Sequence, residues 1–386
     1  MEYKAADYEK REEIAIDEGK KALKKASWLH NRTNSKAKGF FFELKENDAI
    51  HPNHYAVHCV DGIGTKIFLS AWSGNYRLQP IDAIAMNAND MATAIHAYPD
   101  AVDLYFAVQG EVEEHHMGEI MDGFVDALER IRIPDALFDV NIGKIETASL
   151  DEMIGSPVKG KGWDVGVVMT GYIEKDKVPN LDPKPGHHII GVSSTGLHSN
   201  GYTHARHRLL KQDVEYRKEW KSQYRGNFEL DSDPASLAGK TILEELQTPT
   251  ALYLVEAALI GQKFDNRDIY GVNITGNGLK NFNRVGKNVA FEIDNPFEAL
   301  PIHYLLMTES IWSYEKAYTK HNMGMGFAYV APTEGLATDI IDFINERGEH
   351  QAKIVGKVIE SDREELTTIL HEPTSKKIIE FEGYTN

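Results

Sequence analysis

The residues best suited to chemistry form a short turn, DGIGTK, which runs from Asp61 to Lys66. A carboxylate opens the turn and an ammonium closes it, with Gly62, Gly64 and Thr65 between them. Glycines let backbone N–H groups approach an anion, aspartate can bind Mg²⁺, and lysine supplies a compact positive charge for a phosphoryl group. The turn therefore suggests phosphate chemistry, although Asp-Gly followed by Gly is also common in ordinary turns.

Two regular elements must position this turn. Residues Tyr55–Val60 alternate in character and predict a strand that leads into it. Residues Pro80–Ala97 place apolar side chains at helical spacing, with Asp82, Asn89 and Asp90 on a different side. Buried carboxylates would need partners or a metal. The alternative is that Asp82 caps the helix and that Asn89 and Asp90 lie on an ordinary solvated face.

The second half of the chain contains a comparable run. A predicted strand, His187–Val192, is followed by the small and hydroxylated residues of Ser193–Gly201 and then by a predicted helix, Tyr202–Leu210. The N-terminus of a helix favours an anion, because its N–H groups are unpaired and its dipole is positive there. The alternative is a plain strand-to-helix turn with serine or asparagine caps.

Three further glycine-bearing segments punctuate the chain. Asn141–Ala148 is interpreted as a glycine turn followed by Glu146, Asn273–Asn281 as a turn that leads into a helix, and His321–Pro332 as the start of a strand. Elsewhere the pattern predicts helices at Tyr8–Ser27 and Glu111–Arg130, at Leu243–Ile260 around an interruption at Thr248–Pro249–Thr250, and around Leu336–Ile344 with an end at Gly348. It predicts strands at Leu104–Val108, Trp163–Ile173, Val289–Ile293 and Ala352–Ile359. Interleaved strands and helices predict an α/β (α+β) fold.

Length and punctuation predict two domains. A chain of 386 residues exceeds the usual size of a single core. The charged, proline-containing segment Glu174–Pro185 is the best candidate boundary, which divides the chain into residues 1–177 and 178–386. The aromatic run Lys36–Phe42 is interpreted as part of a loop or of the lead-in to the first strand, and the charged segment Lys211–Asp233 as an inserted helix and loop.

Composition limits the possible partners. The net charge of −17 argues against a general affinity for nucleic acid or anionic membranes. A single cysteine, Cys59, excludes an internal disulfide and a multi-cysteine zinc site, and it fits a reducing compartment. No signal peptide or membrane-spanning run is evident. We therefore expect a soluble, cytoplasmic protein.

Six segments, in one order, resemble the sequence pattern of the aminoimidazole ribonucleotide synthetase family (phosphoribosylformylglycinamidine cyclo-ligases). They are Asp61–Lys66 (DGIGTK), Ala88–Asp90 (AND), Gly143–Ala148 (GKIETA), Ser193–Tyr202 (SSTGLHSNGY), Asn273–Gly278 (NITGNG) and Asn322–Phe327 (NMGMGF). The resemblance implies an N-terminal mixed-sheet domain that pairs across a homodimer to build a shared barrel, and a C-terminal α/β domain. It also implies an ATP- and Mg²⁺-dependent reaction in purine biosynthesis, in which the formyl amide oxygen of formylglycinamidine ribonucleotide is phosphorylated, an internal nitrogen attacks, and phosphate leaves.

The resemblance also implies roles for particular residues. Asp61 and Asp90 would bind Mg²⁺, and Lys66 would neutralise the transferred phosphoryl group. His198 and Asn200 would act at the reacting end of the substrate. The remaining ATP-binding residues would be Gly62, Gly64, Thr65, Asn89 and Glu146, and the remaining substrate-binding residues would be Ser194, Gly196, Ser199, Thr275, Gly276 and Gly278.

Several positions depart from the family pattern. The N-terminal phosphate loop is reduced to a segment with Gly39 as its only glycine, and the other departures are Lys144, Ile145, Leu197, Asn273, Asn277 and Ala251. These changes bear on the substrate more than on the fold. Two alternatives therefore stay open: another ATP-dependent enzyme of the superfamily that phosphorylates a small molecule, such as a thiamine phosphate kinase relative, and a nucleotide-binding scaffold without turnover.

Overall fold

The structure is a computed structural model that describes Lys21, residues 53–211 and residues 223–383. Apart from Lys21, the helix predicted at Tyr8–Ser27 lies outside these residues, as do the aromatic run Lys36–Phe42 and residues 212–222 of the predicted insertion. The chain divides into two compact units. In the part that is described, unit 1 comprises residues 53–91, 97–175, 211 and 223–224, and unit 2 comprises residues 92–96, 176–210 and 225–383. The functional division at 177/178 stays a prediction.

Unit 1 contains a four-stranded mixed sheet in the order β1-β4-β2-β3. Its strands are β1 (His54–Asp61), β2 (Tyr98–Val108), β3 (Asn141–Ser149) and β4 (Trp163–Glu174). Strand β4 pairs antiparallel with both β1 and β2, and β3 pairs parallel with β2. The strands predicted before Asp61 and at Trp163–Ile173 are confirmed.

Helices accompany this sheet. They are a 3₁₀ helix (Gly64–Ile67), α1 (Phe68–Ser73), α2 (Gln79–Ala92), α3 (Gly110–His115) and α4 (Met117–Arg130). The helix predicted at Glu111–Arg130 is therefore two helices that meet at His116. Helix α2 buries Ile84, Ala85 and Ala88 completely, as its apolar spacing predicts.

Helix α2 ends five residues before the predicted Ala97. The buried side chains of Ile95 and Ala97 continue the apolar spacing, but the backbone leaves the helix. The carbonyl of Thr93 instead accepts the N–H of Gly271. Tertiary hydrogen bonding therefore overrides the sequence pattern at this end.

The segment Asn141–Ala148 corrects a second prediction. It is not a glycine turn but most of strand β3, in parallel register with β2. Its β-branched residues Ile142, Ile145 and Thr147 favour an extended strand, and the buried strand β2 supplies the hydrogen-bonding partner. A single glycine does not prevent that pairing.

Unit 2 contains a seven-stranded sheet in the order β11-β10-β7-β9-β5-β8-β6. Its strands are β5 (His188–Ser193), β6 (Tyr270–Asn273), β7 (Val289–Ile293), β8 (Met325–Ala331), β9 (Ala352–Glu360), β10 (Thr367–His371) and β11 (Ile378–Glu382). The pairing is antiparallel except for β10 with β7. Every residue of β8 is buried, which makes this strand part of the core.

The helices described in unit 2 include those predicted near Tyr202–Leu210, Leu243–Ile260 and Leu336–Ile344, whereas the two at residues 301–310 and 314–320 are not among the predictions. The helices are α5 (Tyr202–Leu209), α6 (Ile242–Leu246), α7 (Leu254–Phe264), α8 (Pro301–Ser310), α9 (Tyr314–Lys320) and α10 (Glu334–Arg347), with 3₁₀ helices at Ala235–Leu237 and Gly278–Arg284. Helix α10 ends at Gly348, which adopts a left-handed conformation, as predicted. The α/β (α+β) fold with two sheets is thus confirmed.

Candidate active site

The DGIGTK turn follows directly from the end of β1. The carboxylate oxygen Oδ1 of Asp61 accepts the N–H of Gly62 at 2.7 Å. A Cβ atom on Gly62 would lie 2.9 Å from the carbonyl oxygen of Val165, and Gly64 has a φ of 70°. Both positions therefore favour glycine, one for space and one for backbone conformation.

Asp61 and Asp90 bring two carboxylates close enough for their charges to interact. Both side chains are exposed, Asp61 at the end of β1 and Asp90 near the end of α2. Partial burial raises the pKa of the Asp61 carboxyl, the Gly62 amide opposes that shift, and the charge of Asp90 raises the pKa further. The same charge, after burial, helps to raise the pKa of the Cys59 thiol to about 11. Two neighbouring carboxylates that repel each other provide the hard oxygen ligands that Mg²⁺ prefers, so these residues fit the metal.

Lys66 lies beneath this turn rather than at its surface. Its Nζ atom donates to Oδ1 of Asp82 at 2.8 Å, and both side chains are fully buried. Burial lowers the pKa of Lys66, and the Asp82 carboxylate opposes that shift. Asp82 is therefore paired rather than acting as a helix cap. A direct role of Lys66 at a phosphoryl group stays a prediction, since the described conformation commits its ammonium to Asp82.

Glu146 is placed apart from the two aspartates. It lies on β3 with a half-exposed side chain, and its carboxylate is 3.3 Å from Nζ of Lys144. Strands β1 and β3 are the two edges of the sheet, three steps apart. This corresponds to about 14 Å along the sheet. Glu146 thus does not join Asp61 and Asp90, whereas Asn89 is buried immediately beside Asp90.

The Ser193–Tyr202 turn of unit 2 connects β5 to α5. His198 has a φ of 59°, and Gly201, which precedes α5, has a φ of 71°. A Cβ atom on Gly201 would lie 2.4 Å from the ring of His321. The tight path of this turn therefore depends on glycine and on the packed histidine behind it.

Asn322 fastens the first part of this turn. Its Oδ1 accepts the hydroxyl of Ser194 at 3.0 Å and the N–H of Gly324 at 3.0 Å, and its Nδ2 donates to the carbonyl of Gly196 at 2.8 Å. The side chain is buried, so these bonds are protected from water. We call this arrangement the Asn322 clamp.

The last part of the turn meets the Asn273–Asn281 turn. The amide of Asn200 is hydrogen-bonded to the hydroxyl of Thr275, with Nδ2 to Oγ1 at 3.1 Å. A Cβ atom on Gly276 would be 3.7 Å from Oδ1 of Asn200, and one on Gly278 would be 1.8 Å from the carbonyl oxygen of Tyr318. The structure thus brings together residues that the sequence placed 75 positions apart.

His198 is buried with a defined proton position. The N–H of Thr195 donates to its Nε2 at 3.3 Å, so the proton of the neutral ring must lie on Nδ1. The ring centroid is 6.2 Å from that of Tyr253, whose hydroxyl donates to the carbonyl of Ser193 at 2.8 Å. The imidazole is therefore oriented to donate a hydrogen bond through Nδ1.

Sequence reasoning missed several residues that shape this turn. Asn322 was quoted within a motif but given no role, and Thr250, whose hydroxyl lies 3.1 Å from that of Ser199, was interpreted only as part of a helix interruption. Tyr253, His303 and His321 were not singled out. The Thr248–Pro249–Thr250 break and the Asn-Met-Gly sequence after His321 were the available signals.

The described residues form neither a complete metal site of their own nor a membrane-spanning helix. Within residues 53–211 and 223–383, no group of three or more His, Cys, Asp or Glu side chains is arranged to hold a metal ion by itself. No helix in the same part of the chain is long and apolar enough to cross a membrane. A metal between Asp61 and Asp90 would thus need ligands beyond these two carboxylates, such as phosphate oxygens.

Solved structures share the fold. Escherichia coli HypE superposes with a TM-score of 0.58 at 13% identity and covers 97% of both chains. The thiamine-monophosphate kinase of Stenotrophomonas maltophilia gives a TM-score of 0.52 at 14% identity, covering 90% of this chain and 94% of the kinase. A HypE structure in complex with ATP gives 0.54 at 12% identity, over 95% of both chains. At these identities the similarity shows the fold alone.

Sequence relatives are more specific. Residues 184–369 match the family described as AIR synthase related protein, C-terminal domain. The phosphoribosylformylglycinamidine cyclo-ligase of Methanococcus maripaludis is 30% identical over 356 residues, which cover 87% of this chain and 92% of that protein. The enzyme of the same name from Methanopyrus kandleri is 35% identical over 215 residues, 56% of each chain. The chain therefore belongs to the phosphoribosylformylglycinamidine cyclo-ligase family.

Proposed function

We propose that this chain is an ATP-dependent cyclo-ligase that closes formylglycinamidine ribonucleotide to aminoimidazole ribonucleotide in purine biosynthesis. The observation that carries the proposal is the Asn200–Thr275 hydrogen bond, which joins two separate family segments into one polar surface. Membership of the cyclo-ligase family over nearly the whole length of a relative supplies the reaction.

Unit 1 is assigned to ATP and Mg²⁺. Asp61 and Asp90 would hold the metal, which would neutralise phosphate charge when bound. The lack of side chains at Gly62 and Gly64 would let the backbone of the turn approach phosphate oxygens closely. The other nucleotide-binding residues in this assignment are Thr65, Lys66, Asn89 and Glu146. Because its ammonium is buried, Lys66 would act on the phosphoryl group either through Asp82 or after leaving Asp82 for a phosphate oxygen.

Unit 2 is assigned to the substrate. The residues proposed to bind it are Ser194, Gly196, His198, Ser199, Asn200, Thr275, Gly276 and Gly278. Their backbone groups and hydroxyls are suited to phosphate and ribose oxygens. His198 would donate from Nδ1 to the formyl amide end, since Nε2 already accepts from Thr195. This makes His198 an orienting donor rather than a base in the described conformation.

The proposed reaction has two steps, phosphoryl transfer and ring closure. The formyl amide oxygen attacks the γ-phosphorus of ATP, and the bond from that phosphorus to the bridging oxygen breaks to release ADP. An internal nitrogen then attacks the activated carbon, loses a proton, and the carbon–oxygen bond breaks to release inorganic phosphate. Positioning and charge neutralisation account for such catalysis without an enzyme nucleophile.

A homodimer is part of the proposal. Strand β1 is an edge strand, and Val60 on it is 72% exposed while Tyr105 on β2 is 51% exposed. A sheet that leaves apolar side chains uncovered, both on its edge strand β1 and on its interior strand β2, is suited to pairing with a second copy. Light scattering after size-exclusion chromatography should give twice the chain mass of 43.4 kDa, and a monomer at micromolar concentration would contradict this part.

The function is tested by product analysis. Protein, Mg²⁺, ATP and formylglycinamidine ribonucleotide should yield aminoimidazole ribonucleotide and an equal amount of ADP, and EDTA should stop both. ADP formation with thiamine monophosphate but not with formylglycinamidine ribonucleotide would favour a phosphorylating enzyme of the superfamily. ATP binding without ADP formation on either compound would favour a scaffold.

A further inference from the structure

A buried pair of histidines lies behind the Ser193–Tyr202 turn and has no role in the proposed reaction. His303 lies on α8 and is 1% exposed, and His321 follows α9 and is 2% exposed. Their ring centroids are 6.1 Å apart at an interplanar angle of 59°. We call them the histidine pair.

The proton of His303 can be located. The N–H of Leu300 donates to its Nδ1 at 3.1 Å, so a neutral ring carries its proton on Nε2. Burial, followed by the neighbouring His198, lowers the pKa of His303 to about 3, which keeps the ring neutral. Nε2–H is therefore a buried donor.

None of the described residues satisfies that donor or the ring nitrogens of His321. Nε2 of His303 and both ring nitrogens of His321 have no hydrogen-bond partner of normal geometry among residues 53–211 and 223–383. Asn322 is near enough to raise the pKa of His303, but no pair of atoms between them meets hydrogen-bond geometry. Whichever tautomer His321 adopts, it leaves one donor and one acceptor unpaired, which is unfavourable in a buried site.

The separation of the rings fits one intervening molecule. Two imidazoles joined by a direct N–H···N bond have centroids roughly 5 Å apart, given a bond of about 3 Å. A bent N–H···O–H···N bridge through water lengthens that separation to about 6 Å. Water can also both accept from His303 and donate to His321, which is the combination the histidine pair lacks.

The surroundings connect this site to the substrate turn. The ring of His321 packs against Gly201 on one side, and Trp312 lies 5.8 Å away, centroid to centroid. Trp312 in turn stacks on His204 at 4.0 Å. His321 also precedes Asn322 directly in the chain.

We propose that one ordered water bridges Nε2 of His303 and the ring of His321, and that this hydrated pair positions Asn322 and, through it, Ser194 and Gly196. The two histidines are positioning residues and do not touch the substrate. The water site itself is independent of the proposed function, whereas the effect on turnover rests on it.

Three variants separate the contributions. His321→Phe removes both ring nitrogens while keeping a flat side chain against Gly201. His321→Gln restores an amide donor and acceptor near the Nε2 position. His303→Asn keeps an acceptor for the Leu300 N–H but loses the Nε2 donor. His188→Phe, a half-buried histidine at the start of β5, is the matched control.

The first measurement is structural. A crystal structure at about 1.5 Å should show water density within 2.7–3.2 Å of both rings. His321→Phe should lack that water, and its Asn322–Ser194 hydrogen bond should lengthen or break. A well-resolved wild-type structure without the water, or a His321→Phe structure with an unchanged Asn322 clamp, would overturn the proposal.

The second measurement is kinetic. In His321→Phe and His303→Asn, kcat/KM for cyclisation should fall roughly 10- to 100-fold, with His321→Gln recovering most of the loss. The melting temperature of His321→Phe should decrease, because the Nε2–H of His303 loses the water to which it donates. Wild-type kinetics in His321→Phe, or equal loss in His188→Phe, would overturn the positioning role. Absence of cyclisation by the wild-type protein would instead refute the proposed function, and the crystal structures would still decide the water site.

Discussion

The two turns that carry the proposed chemistry are held in different ways. In unit 1, the carboxylate of Asp61 is exposed, bonded to the adjacent Gly62 amide, and close enough to Asp90 for repulsion. In unit 2, the Ser193–Tyr202 turn is fastened by buried hydrogen bonds from Asn322 and by the Asn200–Thr275 contact. The first turn brings together negative charges that a cation can neutralise, whereas the hydrogen bonds of the second turn fix its backbone conformation. Mutations should therefore affect the two turns through different observables.

Loss of charge in unit 1 should give the largest change in activity. Asp61→Asn keeps the size and the hydrogen bond to Gly62 but removes one of two carboxylates. We expect kcat/KM to fall by about 10³-fold or more, since electrostatic stabilisation of transferred charge is the main source of catalysis here. Coupled measurement of ADP and aminoimidazole ribonucleotide would show it, with the melting temperature unchanged.

Asp164 offers a matched control. Its Oδ1 accepts the N–H of the following residue, Val165, at 2.9 Å, just as Asp61 does with Gly62, and burial likewise raises its pKa. Asp164→Asn should keep activity within about twofold, because this carboxylate has no role in the proposed metal site, although the carbonyl of its neighbour Val165 packs on Gly62. Full activity in Asp61→Asn would show that the charge is not needed.

The buried Lys66–Asp82 pair should give the largest change in stability. Lys66→Met leaves the Asp82 carboxylate buried without its partner, and we expect a loss of about 3–5 kcal/mol in the free energy of unfolding. The double variant Lys66→Met, Asp82→Leu removes both charges and should recover most of that loss. Urea unfolding would measure it.

The double variant also tests the role of Lys66. Recovery of both stability and turnover would show that the pair is structural, whereas recovery of stability alone would support a role at the phosphoryl group. Arg77 and Asp126 form an exposed pair at 2.6 Å for comparison. Arg77→Met should cost only about 0–1 kcal/mol.

Loss of the Asn322 clamp should reduce both stability and activity, because its hydrogen bonds fix the conformation of the Ser193–Tyr202 turn. Asn322→Ala removes three hydrogen bonds and leaves Gly196 without its donor, so we expect about 2–3 kcal/mol less stability. Because Ser194 and Gly196 would shift, kcat/KM should also fall, by roughly 100-fold. A quenched assay of product formation would measure the loss of kcat/KM, and thermal unfolding would measure the loss of stability.

Asn283 separates stability from positioning. It is equally buried and also makes three hydrogen bonds, to Phe381, Gly383 and Thr368. Asn283→Ala should therefore cost similar stability without a specific loss of turnover at a temperature where both variants are folded. Equal losses of activity in the two variants would contradict the clamp.

Local patterns predicted most of the fold. The alternation before Asp61, the turns at Asp61–Lys66 and Ser193–Gly201, and the spacing of α2 and α10 follow from side-chain periodicity and backbone preference, and the structure confirms them. Errors arose where tertiary pairing decides the outcome. Residues around Gly143 became a strand because β2 lies beside them, and α2 ended early because the Thr93 carbonyl bonds to Gly271.

The sequence indicates the charged and polar residues of the candidate site but not the hydrogen bonds that hold the site in place. Asp61, Asn200 and Thr275 lie in recognisable turns and Asp90 lies near the end of a predicted helix, so the types and the order of these residues indicate a site. The Lys66–Asp82 pair and the Asn322 bonds link residues 16 and 126–128 positions apart. No local spacing encodes such contacts, since they depend on how the strands bring the chain together.

The buried histidines behind the Ser193–Tyr202 turn should make the stability of unit 2 sensitive to acid. Burial and the nearby His303, His204 and Lys320 lower the pKa of His321 to about 3, and burial and His198 lower that of His303 to about 3. Unfolded histidine has a pKa of about 6.5. Between these values the unfolded chain binds protons that the folded chain does not, so stability should decrease as the pH falls from about 6.5 towards 3. Urea unfolding at pH 7.5, 6.0 and 5.0 should show this decrease, and His321→Phe should reduce it while His188→Phe should not. An identical pH dependence in His321→Phe and the wild type would mean that the buried imidazole does not set the acid sensitivity of unit 2.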